Sequence, residues 1–201
     1  MINELKKELQ DKANPEKAKI LQGFFKTGKG QYGEGDIFLG IVVPEQRKTA
    51  KKFIDLSLND LQELLNSKIH EKRLVALIIL VEKYKIAEKQ KSENEKKEIF
   101  DFYLKNTKNI NNWDLVDLSS PNIIGNYLID KNRDILYKLA KSEHLWEKRI
   151  AIISTFSFIR EKQLQDSIKI AEILINDKHD LIHKAVGWML REIGKKDKNV
   201  L

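Results

Sequence analysis

SKIHEKRLVALIIL (residues 67–80), SEHLWEKRIAIIST (residues 142–155) and NDKHDLIHKAVGWML (residues 176–190) read as three versions of one opening, a short polar stretch followed by an apolar run. The triplet Glu71-Lys72-Arg73 returns as Glu147-Lys148-Arg149, an offset of 149 − 73 = 76 residues, or twice 38, and the interval from Ser142 to Asp177 is 35. A further copy is expected near residue 111, where NNWDLVD (residues 111–117) stands. A period of about 35 to 40 residues with two helices per unit marks a HEAT-like solenoid, whose helical pairs bury their apolar faces by stacking on their neighbours.

The surrounding sequence agrees with a helical chain. Apolar residues recur three and four apart, as at Leu74, Leu77, Ile78 and Val81, the spacing of an amphipathic helix, and period-two alternation is scarce. Asn14 precedes Pro15 and Ser120 precedes Pro121, so each proline is expected at a helix start, and Pro44 opens the stretch PEQRKTAKKF. The fold class is therefore all-α. With 201 residues and no composition break, residues 1–201 are read as one domain.

Composition narrows the function classes. The chain has no cysteine, which excludes disulfide and thiolate chemistry, and no apolar run of signal-peptide or membrane-spanning length, which predicts a cytoplasmic protein. Lysine and arginine exceed aspartate and glutamate by 37 − 30 = 7, a balance that suits a polyanionic partner or a solvated lysine surface. KTGKGQYGEGD (residues 26–36) holds four glycines without the ending of a Walker loop and reads as a connecting loop. The run at residues 82–98 mixes both charges and reads as a solvated helix end and linker. His179 and His183 are four apart but lack a third ligand, so no metal is expected; a serine triad is also absent.

Trp113 and Asp117 are four apart, hence one turn from each other on one helix face. Two readings are open. In one, Trp113 packs between repeats and Asp117 pairs with a neighbouring arginine; in the other, the pair carries chemistry. Trp146 and Arg149 are three apart, and Lys184, Trp188 and Arg191 follow i, i+4, i+7 spacing, a stripe of cation, indole and cation. In a solenoid such stripes line one surface, where cations meet phosphates and indoles meet bases, sugars or a cationic group. Trp146, at the start of its helix, is the tryptophan expected in the core.

FFKTGKGQYGEGDIFLG, HEKRLVALIILV, INNWDLVDLSSPNIIGNYL, WEKRIAIISTF and LIHKAVGWMLREIGK, in that order, resemble the AlkD-like DNA alkylation repair family over nearly the whole chain. The resemblance implies a right-handed superhelix of HEAT-like helical pairs. It also implies an enzyme, a DNA glycosylase that hydrolyses the N-glycosidic bond of cationic N3- or N7-alkylated purines in duplex DNA, without a cofactor and as a monomer. Trp113 and Asp117 match the family's catalytic Trp and Asp, and Trp188 its second catalytic-site tryptophan. Arg149 matches a DNA-contacting arginine, with Lys148, Lys184 and Arg191 as further DNA contacts. Phe24 stands where the family has a tyrosine, keeping the aromatic face and losing the hydroxyl. Asp180 and Leu181 replace an aromatic pair, and the family's last helical pair is expected to be missing. A second function class is a non-catalytic HEAT-like module that binds bent or branched nucleic acid; a third is a protein-binding scaffold.

Overall fold

In the computed structural model, which describes residues 1–200, the repeated sequence opening is a repeated turn. Ser67 Oγ accepts the N–H of Ile69 at 3.1 Å, Ser142 Oγ that of His144 at 3.0 Å, and Asp177 Oδ1 that of His179 at 2.8 Å. A short polar side chain that bonds the backbone two residues on makes such a turn locally. A helix follows at the same distance each time, starting at His70, Leu145 and Asp180. The opening near residue 111 is different: Asn112 Oδ1 accepts the N–H of Trp113 at 2.8 Å, and the helix starts at Trp113.

The protein is all-α. In chain order the helices are α1 (Ile2–Asp11), α2 (Pro15–Phe24), α3 (Val43–Lys52), α4 (Leu58–Leu65), α5 (His70–Lys89) and α6 (Glu93–Lys105). They continue as α7 (Trp113–Ser120), α8 (Asp134–Ala140), α9 (Leu145–Ser154), α10 (Phe156–Arg160), α11 (Gln165–Leu174) and α12 (Asp180–Lys196). Asn14 caps α2 through its side chain with Pro15 in the first turn, as the sequence predicts. Among the described residues the β pairing is confined to an isolated bridge between Ile37 and Ile69. None of the described helices is long and apolar enough to cross a membrane.

The chain divides into two compact units, one formed by Met1–Glu93 with Asn109–Leu115, the other by Asn94–Lys108 with the chain from Val116 onward. In the first unit α1, α3 and α4 pack on α5. The sequence predicts an apolar stripe at Leu74, Leu77, Ile78 and Val81, but every residue from 74 to 81 is buried, so this stretch of α5 is covered on all sides, and one-sided burial returns only beyond it, where Tyr84 and Ala87 are buried and Lys85, Ile86, Glu88 and Lys89 exposed. Its first turn also buries Glu71, which is 0 % exposed. One carboxylate oxygen accepts the N–H of Leu39 at 2.9 Å, and the other accepts those of Gly40 and Ile41 at 2.8 and 3.3 Å. Gly40 adopts φ +84°, which turns the successive N–H groups toward one anion and which a side chain would resist.

In the second unit α8 packs on α9, and α9 and α11 pack on α12. The α12 helix keeps the predicted one-sided pattern, burying Ile182, Ala185, Val186, Met189 and Ile193. Trp146 lies in the core, 5 % exposed, as expected. Pro121 departs from expectation. Ser120 keeps helical dihedrals and makes no side-chain cap, and α7 runs on into a π-helical turn, Pro121–Gly125. A proline in a continuing helix removes one N–H and crowds the preceding turn, and the wider π turn makes room for it. Ser157 Oγ donates to the Pro121 carbonyl at 2.7 Å, and Asn122 Nδ2 to that of Leu118 at 2.7 Å. Gly125 permits the close approach of α9, because a Cβ there would lie 2.3 Å from the Ser154 carbonyl oxygen.

Replacing Glu71 by Ala strands three buried N–H groups, each worth about 1–3 kcal/mol when unsatisfied. The expected loss is about 3 kcal/mol or more in urea denaturation of the full chain, with Glu71→Gln losing less because its carbonyl oxygen still accepts.

Candidate functional site

α7 carries Trp113 in the first unit and Asp117, one helical turn later, in the second. Around Trp113 the loop after α2 assembles an aromatic stack. The half-buried indole lies flat on Phe25, with ring centroids 5.3 Å apart and planes 14° apart. Phe25 stacks on Phe38 at 4.9 Å, and Phe38 on the His70 ring at 4.5 Å. Phe24, 61 % exposed, meets the indole edge-on at 6.0 Å. Trp113 is thus held on one face by apolar rings, with an exposed aromatic beside it.

The same unit holds a buried charge cluster. Asp36 Oδ2 receives Arg73 Nη2 at 2.7 Å and lies 3.3 Å from His70 Nδ1, while His70 Nε2 lies 2.8 Å from Asp114 Oδ2. Burial raises the Asp36 carboxyl, but the hydrogen bond from His70 and the Arg73 charge outweigh it and hold the group below the usual carboxylate range.

In the second unit Arg149, 5 % exposed, grips Asp117 with two parallel bonds, Nε to Oδ1 at 2.9 Å and Nη2 to Oδ2 at 2.7 Å. Its Nη1 donates to the Leu181 carbonyl at 2.5 Å, tying the pair to the first turn of α12. The carboxylate is the more exposed member of the pair, its side chain 19 % exposed against 6 % for the arginine. The bidentate grip fixes the plane of the carboxylate. Tyr103 donates to or accepts from Ser119 Oγ at 2.9 Å; burial, with the Asp117 charge adding to it, pushes the phenol well above the ordinary tyrosine value.

The α12 stripe also forms. Lys184 and Arg191 are each 67 % exposed, Lys184 pairing with Asp180 at 2.7 Å and Arg191 lying 3.7 Å from Glu192. Trp188, half-buried, leans on Phe156 at 5.6 Å. Lys148 is engaged by Asp177 at 2.5 Å, where burial of the carboxyl is outweighed by that hydrogen bond. The structure therefore joins Trp113 with Phe24, Asp117 with Arg149, and Lys184, Trp188 and Arg191 along α12. His179 Nδ1 accepts the N–H of Leu181 and His183 Nε2 meets the Asp177 carbonyl, so both histidines serve helix-start geometry. Among the described residues no group of three or more His, Asp or Glu side chains is placed to hold a metal.

Sequence reasoning missed the cluster of Asp36, His70, Arg73 and Asp114, and it missed Phe25 and Phe38 as the support of Trp113. Asp114 lies inside the segment that drew attention, but a carboxylate in the first turn of a helix is common and carries no signal of its own.

The helical fold has relatives. The chain matches, over residues 5–201, the model of the family described as DNA alkylation repair enzyme, and it belongs to that family. Its fold is similar to the solved structure of a predicted DNA alkylation repair enzyme from Enterococcus faecalis, at 18 % identity and a TM-score of 0.68, covering 93 % of this chain and 85 % of that one. No curated protein matches the chain significantly.

Removing one partner of a largely buried ion pair costs about 3–5 kcal/mol. Arg149→Ala is expected to lower the unfolding free energy by about 3 kcal/mol in urea denaturation, and Arg149→Lys to recover only part of it, since an ammonium does not span both oxygens and the Leu181 carbonyl.

Proposed function

We propose that the protein is a DNA glycosylase that excises cationic N3- or N7-alkylated purines from duplex DNA by hydrolysing the N-glycosidic bond. The observation that carries the reading is the Asp117 carboxylate, held by two bonds from Arg149 and partly exposed, one helical turn after a stacked indole. A purine alkylated at N3 or N7 already bears a positive charge, so it departs without a general acid. The barrier lies in the positive charge that develops on the deoxyribose. A fixed carboxylate stabilises that charge and orients the attacking water. Trp113 and Trp188, each within its own unit, have electron-rich indole faces of the kind that attract a cationic base or sugar. Phe24, Lys184 and Arg191 are the exposed members of the set and take the sugar and phosphate contacts. Lys148 and Arg149 are engaged by Asp177 and Asp117, so contact with DNA from either requires an exchange of partners. The reaction asks for no metal or organic cofactor. The recurring turn-and-helix opening, with the packed pairs α4 and α5, α8 and α9, and α11 and α12, supports HEAT-like pairs as the building units.

A second reading is a non-catalytic module that binds bent or branched nucleic acid. The observation in its favour is the bidentate Arg149–Asp117 pair itself, which a purely structural role would also produce.

An excision assay separates the two. The full chain is expected to release 7-methylguanine from methylated duplex DNA, and Asp117→Asn to lower the rate by about 10²-fold or more while duplex affinity persists. The carboxamide oxygen still accepts from Arg149, so this variant should fold. A folded parent protein that releases no alkylated base overturns the glycosylase. In that case DNA binding that falls steeply with salt and ignores Asp117→Asn supports the binding module.

A further inference from the structure

The His70 side chain is 2 % exposed, and both of its ring nitrogens meet carboxylates, Nδ1 at 3.3 Å from Asp36 and Nε2 at 2.8 Å from Asp114. An ionised carboxylate only accepts, and a neutral imidazole has one N–H to give. Both contacts are hydrogen bonds at once only when the ring carries two protons and a positive charge. The charged groups around the ring are Asp36 from the loop ahead of α3, Asp114 from α7, and Arg73 from its own helix. Phe38 and Phe25 flank it at 4.5 and 5.0 Å.

His70 reaches Trp113 by two routes. Asp114, its closer partner, is the residue next to Trp113 in the first turn of α7, and its other oxygen accepts the N–H of Leu115 at 2.9 Å. Asp36, its second partner, also lies 3.4 Å from Asn112 Nδ2, and Asn112 in turn takes the Trp113 N–H. The near-parallel stack of His70, Phe38, Phe25 and Trp113 is the second route, with interplanar angles of 20°, 21° and 14°.

We propose that doubly protonated His70 is the positioning residue of Trp113: by holding Asp36 and Asp114 together it fixes the first turn of α7 and the seat of the indole on Phe25. Neutral His70 keeps one of the two bonds and leaves two carboxylates facing a ring that no longer offsets their charge. Burial opposes the charged ring, but the hydrogen bond and charge of Asp114, with Asp36 behind them, outweigh it and raise His70 above the ordinary histidine value. The sign follows from linkage. Stability from a group whose folded value is raised is complete below the unfolded value of 6.5 and is lost as the pH rises through the raised one. The bearing of this device on base excision rests on the function proposed above, whereas the placement of the indole does not.

The test uses the full chain labelled with 5-fluorotryptophan, the Trp113 resonance being assigned from Trp113→Phe. The fluorine spectrum and the His70 ring protons are followed together by NMR from about pH 5 to 9, a range that brackets ordinary histidine titration. The expected result is a single step in the Trp113 resonance whose midpoint coincides with that of His70 and lies above the ordinary value, with Trp146 and Trp188 unmoved. Asp114→Asn, which removes the charge but keeps a hydrogen-bonding side chain, should move both midpoints down together, and His70→Gln should abolish the step. A Trp113 resonance that stays still while His70 titrates, or midpoints that separate in Asp114→Asn, overturns the proposal. The unsubstituted protein decides the first point even where His70→Gln fails to fold. Excision measured alongside keeps the two ideas apart: a coupled titration without base release upholds the positioning of Trp113 and removes the glycosylase.

Discussion

An arginine that is almost wholly buried must have its charge matched, and in this protein Arg149 is matched by the two oxygens of Asp117. Desolvation makes an unpaired guanidinium costly, so the pair constrains everything attached to it. It fixes the rotamer of the aspartate on α7, and through the Leu181 carbonyl it fixes the start of α12 relative to α9. The carboxylate on which the proposed function rests is thus also the one whose geometry the second unit dictates.

The first unit solves the same problem with different partners. Arg73, the counterpart of Arg149 in the repeated triplet, is also buried and pairs with an aspartate, Asp36, and a backbone carbonyl, that of Ser67. The triplet's glutamates diverge. Glu71 collects three backbone N–H groups, whereas Glu147 accepts from the hydroxyls of Thr107 and Ser142. One sequence motif therefore yields one conserved kind of contact, arginine to aspartate, and one that depends on what the neighbouring loop presents. That loop is rich in glycine, which is what lets three successive amides turn toward a single carboxylate.

Much of the candidate site was legible because its members lie on helices whose spacing is local. Trp113 and Asp117 on one helix, the α12 stripe of Lys184, Trp188 and Arg191, and the burial of Trp146 all follow from helical periodicity. The resemblance assigns Arg149 to DNA, and one of the two readings of the sequence pairs Asp117 with a neighbouring arginine; that this arginine is Arg149 is decided by the fold. The cluster around His70 was illegible for a plain reason. Its carboxylate partners stand 34 and 44 residues away, and nothing in a lone histidine at a helix start points to either.

The sequence by itself determined the all-α class, the repeated turn before α5, α9 and α12, the capping of α2 by Asn14, and the one-sided burial of α12. Each depends on interactions between residues a few positions apart, which the order of amino acids specifies directly. Only the tertiary structure decided that residues 74–81 of α5 are buried all round, that Pro121 continues a helix through a π turn, and that His70 bridges two carboxylates beneath the Trp113 stack. Those outcomes depend on which distant segments cover a helix, fill a turn or offset a buried charge, and such partners become neighbours only when the chain has folded.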